Sequence, residues 1–338
     1  MMSRALVVQT SFIGDTVLTT PLIERLASES LVDVVVTATS APLLENNGSI
    51  DQLVVYDKRG ADRGVSGFVR LASQLRQHRY KTAYLAQGSL RSASLVLAAG
   101  IHERVGFQSS AGRRLYTERV PYIENDHHAA RLLRLAGATD GTLPRPRLYP
   151  GAAERDAVDA LLRGAGALDA PLVALAPGSV WATKRWPHYA DLAKEIGERL
   201  VVVGSAADRE LAAQIVAATG GRAIDATGQL SLLASAELIG RSSVLVTNDS
   251  APLHLASAMQ TPTVAIFGPT VPEFGFGPLA PRSIVLGLGT LACRPCDRHG
   301  PQRCPLGHWR CMREITPRQV AAAVRALVAQ PPLPTSSR

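Results

Sequence analysis

The chain has 338 residues, which is long for a single hydrophobic core and predicts two domains at about 150 residues each. Hydrophobic residues make up 46% and charged residues 19%, a composition typical of globular proteins and not of disordered ones. No stretch approaches the ~18 uninterrupted apolar residues of a membrane span, which argues against an integral membrane protein. The apolar run near the N-terminus is too short for a signal peptide, so we expect a cytoplasmic protein.

Positive charge is concentrated in one stretch of the chain. The net charge is +8, yet residues 58–134 alone hold 14 Lys or Arg against five Asp or Glu, an excess of nine. Most are Arg, whose guanidinium binds phosphate or carboxylate through two parallel hydrogen bonds. The excess indicates a polyanionic partner, which could be a phosphorylated glycan, an anionic membrane surface or nucleic acid. A solvated basic surface would give the same pattern.

The first part of the chain alternates between apolar strand patterns and a helical pattern. A continuous Val run in the second strand is typical of a parallel strand covered on both faces. The predicted elements are a strand at 5–9, a helix at 16–28, and strands at 32–37, 52–56 and 82–87. The stretch 142–151 holds three prolines without periodicity and indicates a linker.

After the linker the same alternation begins again. The predicted elements are helices at 152–164, 189–199, 208–218, 232–239 and 252–259, and strands at 172–176, 200–203, 244–247 and 263–267. The pattern therefore predicts an α/β protein with two domains, 1–150 and 151–329, and a disordered tail at 330–338. Ligands of such sheets bind beyond the carboxyl ends of the strands, which directs attention to the loops there.

The loop after the first strand carries Gly14 and Asp15. A dinucleotide fingerprint would need three glycines spaced G-x-G-x-x-G, so a nicotinamide dehydrogenase is disfavoured. Asp15 is placed to act as a general base at the start of a helix. It could equally be a first-turn carboxylate that complements the helix dipole.

The loop that follows the strand at 172–176 combines a tight turn with two cations. Gly178 and Ser179 expose backbone N–H groups, and Lys184 with Arg185 could neutralise a diphosphate. The G-x-x-x-x-G-K pattern of a P-loop is absent. The alternative is a surface loop anchored by its tryptophans.

The loop that follows the strand at 244–247 opens a helix of small residues. Asp249 or Ser250 could cap this helix, with Pro252 in its first turn, and its free N–H groups would form an anion site. His254 could belong to that site or be a packed core histidine. Three such loops at strand ends indicate a binding cleft between the two domains.

Three sequence motifs now suggest a family. They are IGDTVLTTPLIERL at 13–26, APGSVWATKRWPHYADLA at 176–193 and VTNDSAPLHLASAMQTPTVAIFGPTVPEFGFGP at 246–278. They resemble the ADP-heptose:lipopolysaccharide heptosyltransferases, and most closely the heptosyltransferase II group. The resemblance implies the GT-B fold, in which two Rossmann-like domains face each other across a cleft. It also implies inverting transfer of L-glycero-D-manno-heptose from ADP-heptose to the inner core of lipopolysaccharide, with no cofactor required for catalysis.

The resemblance further implies a role for individual residues. Asp15 matches the catalytic base, Lys184 a residue that stabilises the departing diphosphate, and Gly14 and Thr16 flank the base on the acceptor side. The positions implied for ADP-heptose binding are Gly178, Ser179, Thr183, Lys184, Asp208, Leu230, Asp249, Ser250, Ala251 and His254. Ala251 departs from the family's usual Gly.

The resemblance also assigns the two domains and their partners. The N-terminal domain binds the acceptor and the C-terminal domain the nucleotide sugar. The resemblance implies that the basic stretch 58–134 binds a phosphorylated inner-core acceptor. It also implies that the enzyme is a peripheral protein at the cytoplasmic face of the inner membrane. Nucleic acid is not expected, because no aromatic-basic platform or recognition helix supports it. Two alternatives stay open: transfer of a different sugar from another nucleotide, and a non-catalytic polyanion-binding protein.

All four cysteines lie within one short segment. Cys293 and Cys296 have zinc-ligand spacing, and Cys304 and Cys311 follow within 15 residues. A reducing compartment argues against two disulfides. A structural zinc site is therefore one hypothesis, and free or buried thiols are the other.

Overall fold

The computed structural model describes residues 2–58, 60–138, 143 and 145–330. The chain divides into two compact units, Met1–Tyr149 and Pro150–Arg338. Most of the predicted tail, residues 331–338, lies outside the described residues, as do positions 142 and 144 of the predicted linker. In the described part of the chain, no helix has the length and apolar character needed to cross a membrane.

The first unit is one six-stranded sheet with helices in its crossover connections. Its elements are β1 (Ser3–Gln9), α1 (Ile13–Ala27), β2 (Ser30–Val36), β3 (Gln52–Val55), α2 (Gly64–Gln77), β4 (Thr82–Leu85), α3 (Leu90–Ala98), β5 (Glu103–Phe107), β6 (Glu118–Val120) and α4 (His128–Arg134). All strand pairs are parallel, in the order β3-β2-β1-β4-β5-β6. The order reverses between β1 and β4, and such a switch point is where doubly wound sheets bind ligands.

The second unit repeats this topology. Its elements are α5 (Ala152–Gly164), β7 (Leu172–Ala176), α6 (Tyr189–Glu195), β8 (Arg199–Val202), α7 (Arg209–Ala218), β9 (Ile224–Asp225), α8 (Leu232–Arg241), β10 (Val244–Asn248), α9 (Ala251–Met259), β11 (Thr263–Ile266), β12 (Ser283–Leu286), α10 (Arg310–Arg313) and α11 (Pro317–Val328). The parallel strands lie in the order β9-β8-β7-β10-β11-β12, with the switch point between β7 and β10. The predicted α/β fold of two Rossmann-like units is confirmed.

The central strands form the core of each unit because helices cover both of their faces. Leu6 and Val8 of β1 are fully buried in the first unit, as are Val173 and Leu175 of β7 in the second. Burying each such side chain contributes about 2 kcal/mol. The strand ends are therefore held rigidly, and the loops that follow them begin at fixed points.

Several predicted helix boundaries differ from the structure, and three of the differences affect residues near the strand ends. α1 begins at Ile13, three residues earlier than predicted, so Asp15 lies in its first turn. α6 ends at Glu195 because the backbone becomes extended at Ile196, and Arg199 already belongs to β8. α7 begins at Arg209, and Asp208 lies in the short 3₁₀ turn before it.

Candidate functional site

In the first unit, Asp15 lies at the switch point, just beyond the carboxyl end of β1. The Ser11 hydroxyl donates a hydrogen bond to the Asp15 carboxylate, and the Asp15 main-chain carbonyl accepts from Thr19 Oγ1 at 2.7 Å. Asp15 is only partly buried. A held but accessible carboxylate in the first turn of α1 suits a general base, and it also complements the helix dipole.

Polar and cationic side chains cover the neighbouring strand ends. Lys58 Nζ, beyond β3, donates to the Thr10 carbonyl at 2.8 Å, and the Gln87 amide, beyond β4, donates to the Thr10 hydroxyl. Arg91 Nε, in the first turn of α3, donates to Tyr56 Oη at 2.6 Å. Lys58 and Arg91 bring two members of the basic stretch to the carboxyl edge of this sheet.

The two residues predicted beside the base differ in accessibility. Gly14 is partly exposed in the first turn of α1. Thr16 is 1% exposed, and its hydroxyl donates to the Phe12 carbonyl at 3.3 Å. Thr16 therefore stabilises the start of the helix, and of the two residues only Gly14 presents surface beyond β1.

In the second unit, Lys184 and Asp249 form a buried ion pair. Lys184 Nζ lies 2.6 Å from Asp249 Oδ2, and the two side chains are 10% and 11% exposed. The same carboxylate oxygen accepts a hydrogen bond from Thr270 Oγ1 at 2.6 Å. Burying a charge is costly unless it is paired, so Asp249 and Lys184 each offset the cost of burying the other.

This pairing replaces the capping role considered for Asp249. Ser250 occupies the N-cap position of α9, and neither side chain makes a capping hydrogen bond; Pro252 lies in the first turn as predicted. Ala251 is the first helical residue, partly exposed. The first backbone N–H groups of α9 have no capping side chain, and such groups favour an anion.

Asn248 connects the loops around this ion pair, and sequence reasoning assigned it no role. Its amide nitrogen donates to the Pro177 carbonyl at 2.9 Å, and its amide oxygen accepts from Trp186 N at 3.2 Å and from Tyr189 Oη at 3.3 Å. The side chain is fully buried. In the sequence, Asn248 directly follows the predicted buried strand 244–247 and precedes Asp249. This position at a strand end is the feature that could have identified it.

Gly178, Ser179 and Asp208 lie together at the ends of β7 and β8. A Cβ on Gly178 would fall 2.3 Å from Asp208 Oδ1, so a side chain there would displace the Asp208 carboxylate. Asp208 Oδ2 accepts from Ser205 N at 2.9 Å and Ser205 Oγ at 2.8 Å. Ser179 Oγ accepts from the backbone N–H of Trp181 at 3.3 Å. The turn is therefore tightly built and presents a carboxylate at its rim.

Leu230 lines a cavity of about 200 Å³ in the second unit. The lining residues are mostly apolar, together with glycine and serine: Val203, Gly204, Ser205, Gly228, Leu230, Leu232, Ser235, Ile239, Pro252 and Leu255. Apolar walls with a few polar groups are typical of a site for a small organic molecule. Asp208 accepts hydrogen bonds from the lining residue Ser205, and Pro252 joins the cavity to the start of α9.

The remaining predicted donor residues are buried. Thr183 is 2% exposed and donates through its hydroxyl to the Pro301 carbonyl. His254 is 5% exposed, and its ring packs edge-on against Phe276 at a centroid distance of 6.3 Å. The packed-histidine alternative therefore describes His254 as it stands in this structure.

The four cysteines are free thiols gathered near the end of β11. Burial acts against ionisation of Cys304, but backbone N–H groups of residues 306–309 lower the pKa of its thiol. Burial raises the pKa of Cys311 to about 11, and the neighbouring thiols add to the shift. Within the described ranges, no three His, Cys, Asp or Glu side chains form a group able to hold a metal ion.

Comparison with known proteins agrees with this geometry. The family "Glycosyltransferase family 9 (heptosyltransferase)" matches residues 68–307. "Lipopolysaccharide heptosyltransferase 2" of Escherichia coli K12 is 28% identical over 97% of this chain and 99% of its own length. The solved structure of E. coli ADP-heptose lps heptosyltransferase II is 27% identical, with a TM-score of 0.79 over 96% of this chain and 98% of that chain. A glycosyltransferase family 9 structure from Veillonella parvula has a TM-score of 0.86 at 24% identity, with 97% of each chain covered.

The family match, on a fold of two Rossmann-like units, defines the class of this protein as a glycosyltransferase. The family match covers well over half of the chain. The chain belongs to glycosyltransferase family 9, the heptosyltransferase family.

Proposed function

We propose that this enzyme transfers L-glycero-D-manno-heptose from ADP-heptose to the inner core of lipopolysaccharide, with inversion at the anomeric carbon. The observation that carries the proposal is the similarity to heptosyltransferase 2 over 97% of the chain. Each of the three motifs that resemble this family begins close to the carboxyl end of a strand, β1, β7 or β10, where the fold binds ligands.

The second unit would bind the donor. The adenine would occupy the cavity beside Leu230, and Asp208, which is bonded to the lining residue Ser205, would accept from the ribose hydroxyls. The diphosphate would lie at the start of α9, near Ser250 and Ala251, with Lys184 as its counter-charge. Ser179 and Thr183 belong to the same loop as Lys184, and His254 to the first turns of α9.

The chemistry is a single displacement. Asp15 accepts the proton of the acceptor hydroxyl as its oxygen bonds to the anomeric carbon. The bond from that carbon to the β-phosphate oxygen breaks, and its electron pair leaves with ADP. Lys184 and the N–H groups of α9 stabilise the negative charge that grows on this oxygen. One displacement inverts the carbon and needs no enzymic nucleophile, and we propose that no cofactor takes part.

The first unit would bind the acceptor. Lys58 and Arg91 at its carboxyl edge suit phosphate and carboxylate groups of the inner core. The exposed Val65 and Val69 of α2 lie one turn apart beside Arg70. An apolar and basic helix face suits peripheral binding to an anionic membrane, so we place the enzyme at the cytoplasmic face of the inner membrane. Co-sedimentation with anionic but not neutral vesicles would support this location, and no difference between the two would contradict it.

Zinc binding by Cys293, Cys296, Cys304 and Cys311 is a separate proposal. It is supported by the zinc-ligand spacing of the first pair, and it requires the thiols to come closer together than they lie in this structure. Metal analysis of protein purified without added zinc tests it. About one equivalent of zinc supports the site, and less than about a tenth of an equivalent contradicts it.

Donor screening tests the proposed function. We expect transfer or slow hydrolysis with ADP-heptose and none with UDP or GDP sugars. Turnover of a UDP or GDP sugar would instead support another nucleotide-sugar transferase, and binding of polyanions without any turnover would support a non-catalytic role.

A variant tests the assignment of the base. Asp15→Ala should abolish transfer while folding and ADP binding stay intact, because the carboxylate acts only in the chemical step. Glu29→Ala is the matched control, since the exposed Glu29 pairs with Arg25 just before the amino end of β2, at the opposite edge of the same sheet. Full activity of Asp15→Ala would contradict the assignment.

A further inference from the structure

Residues 291–312, here called the cysteine segment, pack against the loop that carries Lys184. Gln302 makes two hydrogen bonds to this loop: its amide oxygen accepts from Ala182 N at 3.1 Å, and its amide nitrogen donates to the Val180 carbonyl at 3.0 Å. One side chain thus fixes the backbone on both sides of Trp181. The loop is held in place from outside its own strand and helix.

The residues before Gln302 continue this contact toward the lysine. The Pro301 carbonyl accepts from the backbone N–H of Thr183 at 3.4 Å and from the Thr183 hydroxyl. The His299 ring stacks on Trp181, with centroids 6.1 Å apart and planes 19° from parallel. Three consecutive loop residues therefore touch the cysteine segment before Lys184 is reached.

Gly300 lies directly against the Lys184 side chain. Its φ of +85° is in the left-handed region, and a Cβ there would lie 3.2 Å from Lys184 Cε and 3.3 Å from Lys184 Cγ. The same Cβ would lie 3.3 Å from Pro269 Cγ. Gly300 therefore leaves just enough space for the lysine stem, whose ammonium is fixed by Asp249.

Near the start of the cysteine segment, Arg294 and Cys296 contact the loop after β11, which lies on the Asp249 side of the ion pair. The Arg294 guanidinium donates to the carbonyls of Phe267 and Thr270, each at 3.0 Å, and Cys296 N donates to the Pro269 carbonyl at 2.9 Å. Thr270 is the residue whose hydroxyl donates to Asp249. The cysteine segment thus contacts the loops on both sides of the Lys184–Asp249 pair.

We propose that the cysteine segment is part of the donor diphosphate site, in which Gly300, Pro301 and Gln302 are positioning residues for Thr183 and Lys184. The inference deepens the proposed function and rests on it. It predicts that small changes in this segment weaken binding of the diphosphate and leave binding of the nucleoside unchanged, because the cavity beside Leu230 has no lining residue from it.

The test compares glycine substitutions that carry the same backbone strain. Gly300→Ala adds a methyl group against Lys184, whereas Gly221→Ala, at a φ of +84°, adds one with nothing within 4 Å. We expect ADP to bind about tenfold more weakly to Gly300→Ala than to the wild type, since a charged hydrogen bond is misplaced. Adenosine should bind equally to all three proteins, and Gly221→Ala should match the wild type for both ligands. Calorimetric titration measures each affinity.

A second pair covers the case in which Gly300→Ala does not fold. Gln302→Ala removes both loop hydrogen bonds, and Gln319→Ala removes a helix cap elsewhere in the unit. The proposal is supported if Gln302→Ala loses affinity for ADP but not for adenosine, while Gln319→Ala keeps its affinity for both. Equal ADP affinity of Gln302→Ala and wild type, or an equal loss of adenosine affinity, overturns it. Failure of the wild-type chain itself to bind ADP would overturn the proposed function and, with it, this inference.

Discussion

Asn248 donates its side-chain amide to the main-chain carbonyl of Pro177 at 2.9 Å, which joins the carboxyl ends of two neighbouring central strands. The first unit has a similar link, in which the Gln87 amide donates to the Thr10 hydroxyl beyond β4 and β1. In each unit one amide side chain closes the switch point. The loops on either side then have a fixed separation before any ligand binds.

Removal of the Asn248 amide should destabilise the second unit and weaken donor binding. Asn248→Ala leaves the Pro177 carbonyl and the Trp186 N–H buried without their partner, which costs about 3 kcal/mol in free energy of unfolding. Thr261→Val is the control, because it removes one buried hydrogen bond, to the Ile239 carbonyl, and costs about 1 kcal/mol. Urea denaturation measures both. Equal losses in the two variants would show that Asn248 does not connect the loops.

The buried ion pair predicts a rescue by ligand. Asp249→Asn leaves the Lys184 ammonium buried without its carboxylate, which costs about 3 kcal/mol. Bound ADP supplies a new anion, so it should raise the Tm of Asp249→Asn more than that of the wild type. The double variant Asp249→Asn with Lys184→Met carries no buried charge and should be more stable than Asp249→Asn alone. A double variant less stable than Asp249→Asn would contradict the pairing.

The cavity beside Leu230 predicts a selective loss of nucleotide affinity. Leu230→Ala removes part of one apolar wall and should weaken ADP binding about tenfold, with little change in folding. Leu168→Ala, at a 38% exposed position of the same unit, serves as the comparison and should bind ADP like the wild type. If ADP affinity is the same in both variants, the adenine does not bind in this cavity.

His128 in the first unit predicts a pH dependence of stability. Burial, followed by the charges of Arg131 and His127, lowers the pKa of His128 to about 3. In the unfolded chain the pKa is about 6.5, so below that pH the unfolded state binds a proton that the folded state does not. The free energy of unfolding should therefore fall as pH drops from 6.5 toward 3, by about 1 kcal/mol at pH 5. This figure allows for solvent screening, because the His128 side chain is not completely enclosed. Urea denaturation of His128→Asn at pH 7 and pH 5 should show a smaller fall than the wild type, and an equal fall would contradict the assignment.

The sequence predicted the central strands well because burial on both faces leaves a continuous apolar run. β7 and α5 were predicted with their observed bounds. The interior strand β5 and the edge strands β6, β9 and β12 were missed, since they have two to five residues and little of the apolar pattern. The helices α2, α3, α4, α10 and α11 were missed as well. In α2 the exposed face carries valines and the first turns hold two glycines.

The candidate site was predicted in part, and the limit is sequence distance. The loops at strand ends were found, because fold class alone dictates where ligands bind. The partner of Lys184 was not, since Asp249 lies 65 residues away and its position next to a helix start suggested a cap. The contacts of Asn248 with Trp186 and of Gln302 with Ala182 cross 62 and 120 residues, and no local pattern encodes them.

The proposed transfer is tested by the mass of the product formed from ADP-heptose and a truncated lipopolysaccharide inner-core acceptor. We expect the wild-type enzyme to add the mass of one heptose residue to the acceptor and to release one ADP for each transfer. An acceptor mass that stays unchanged while the folded enzyme binds ADP, or that increases by a different sugar, would contradict it.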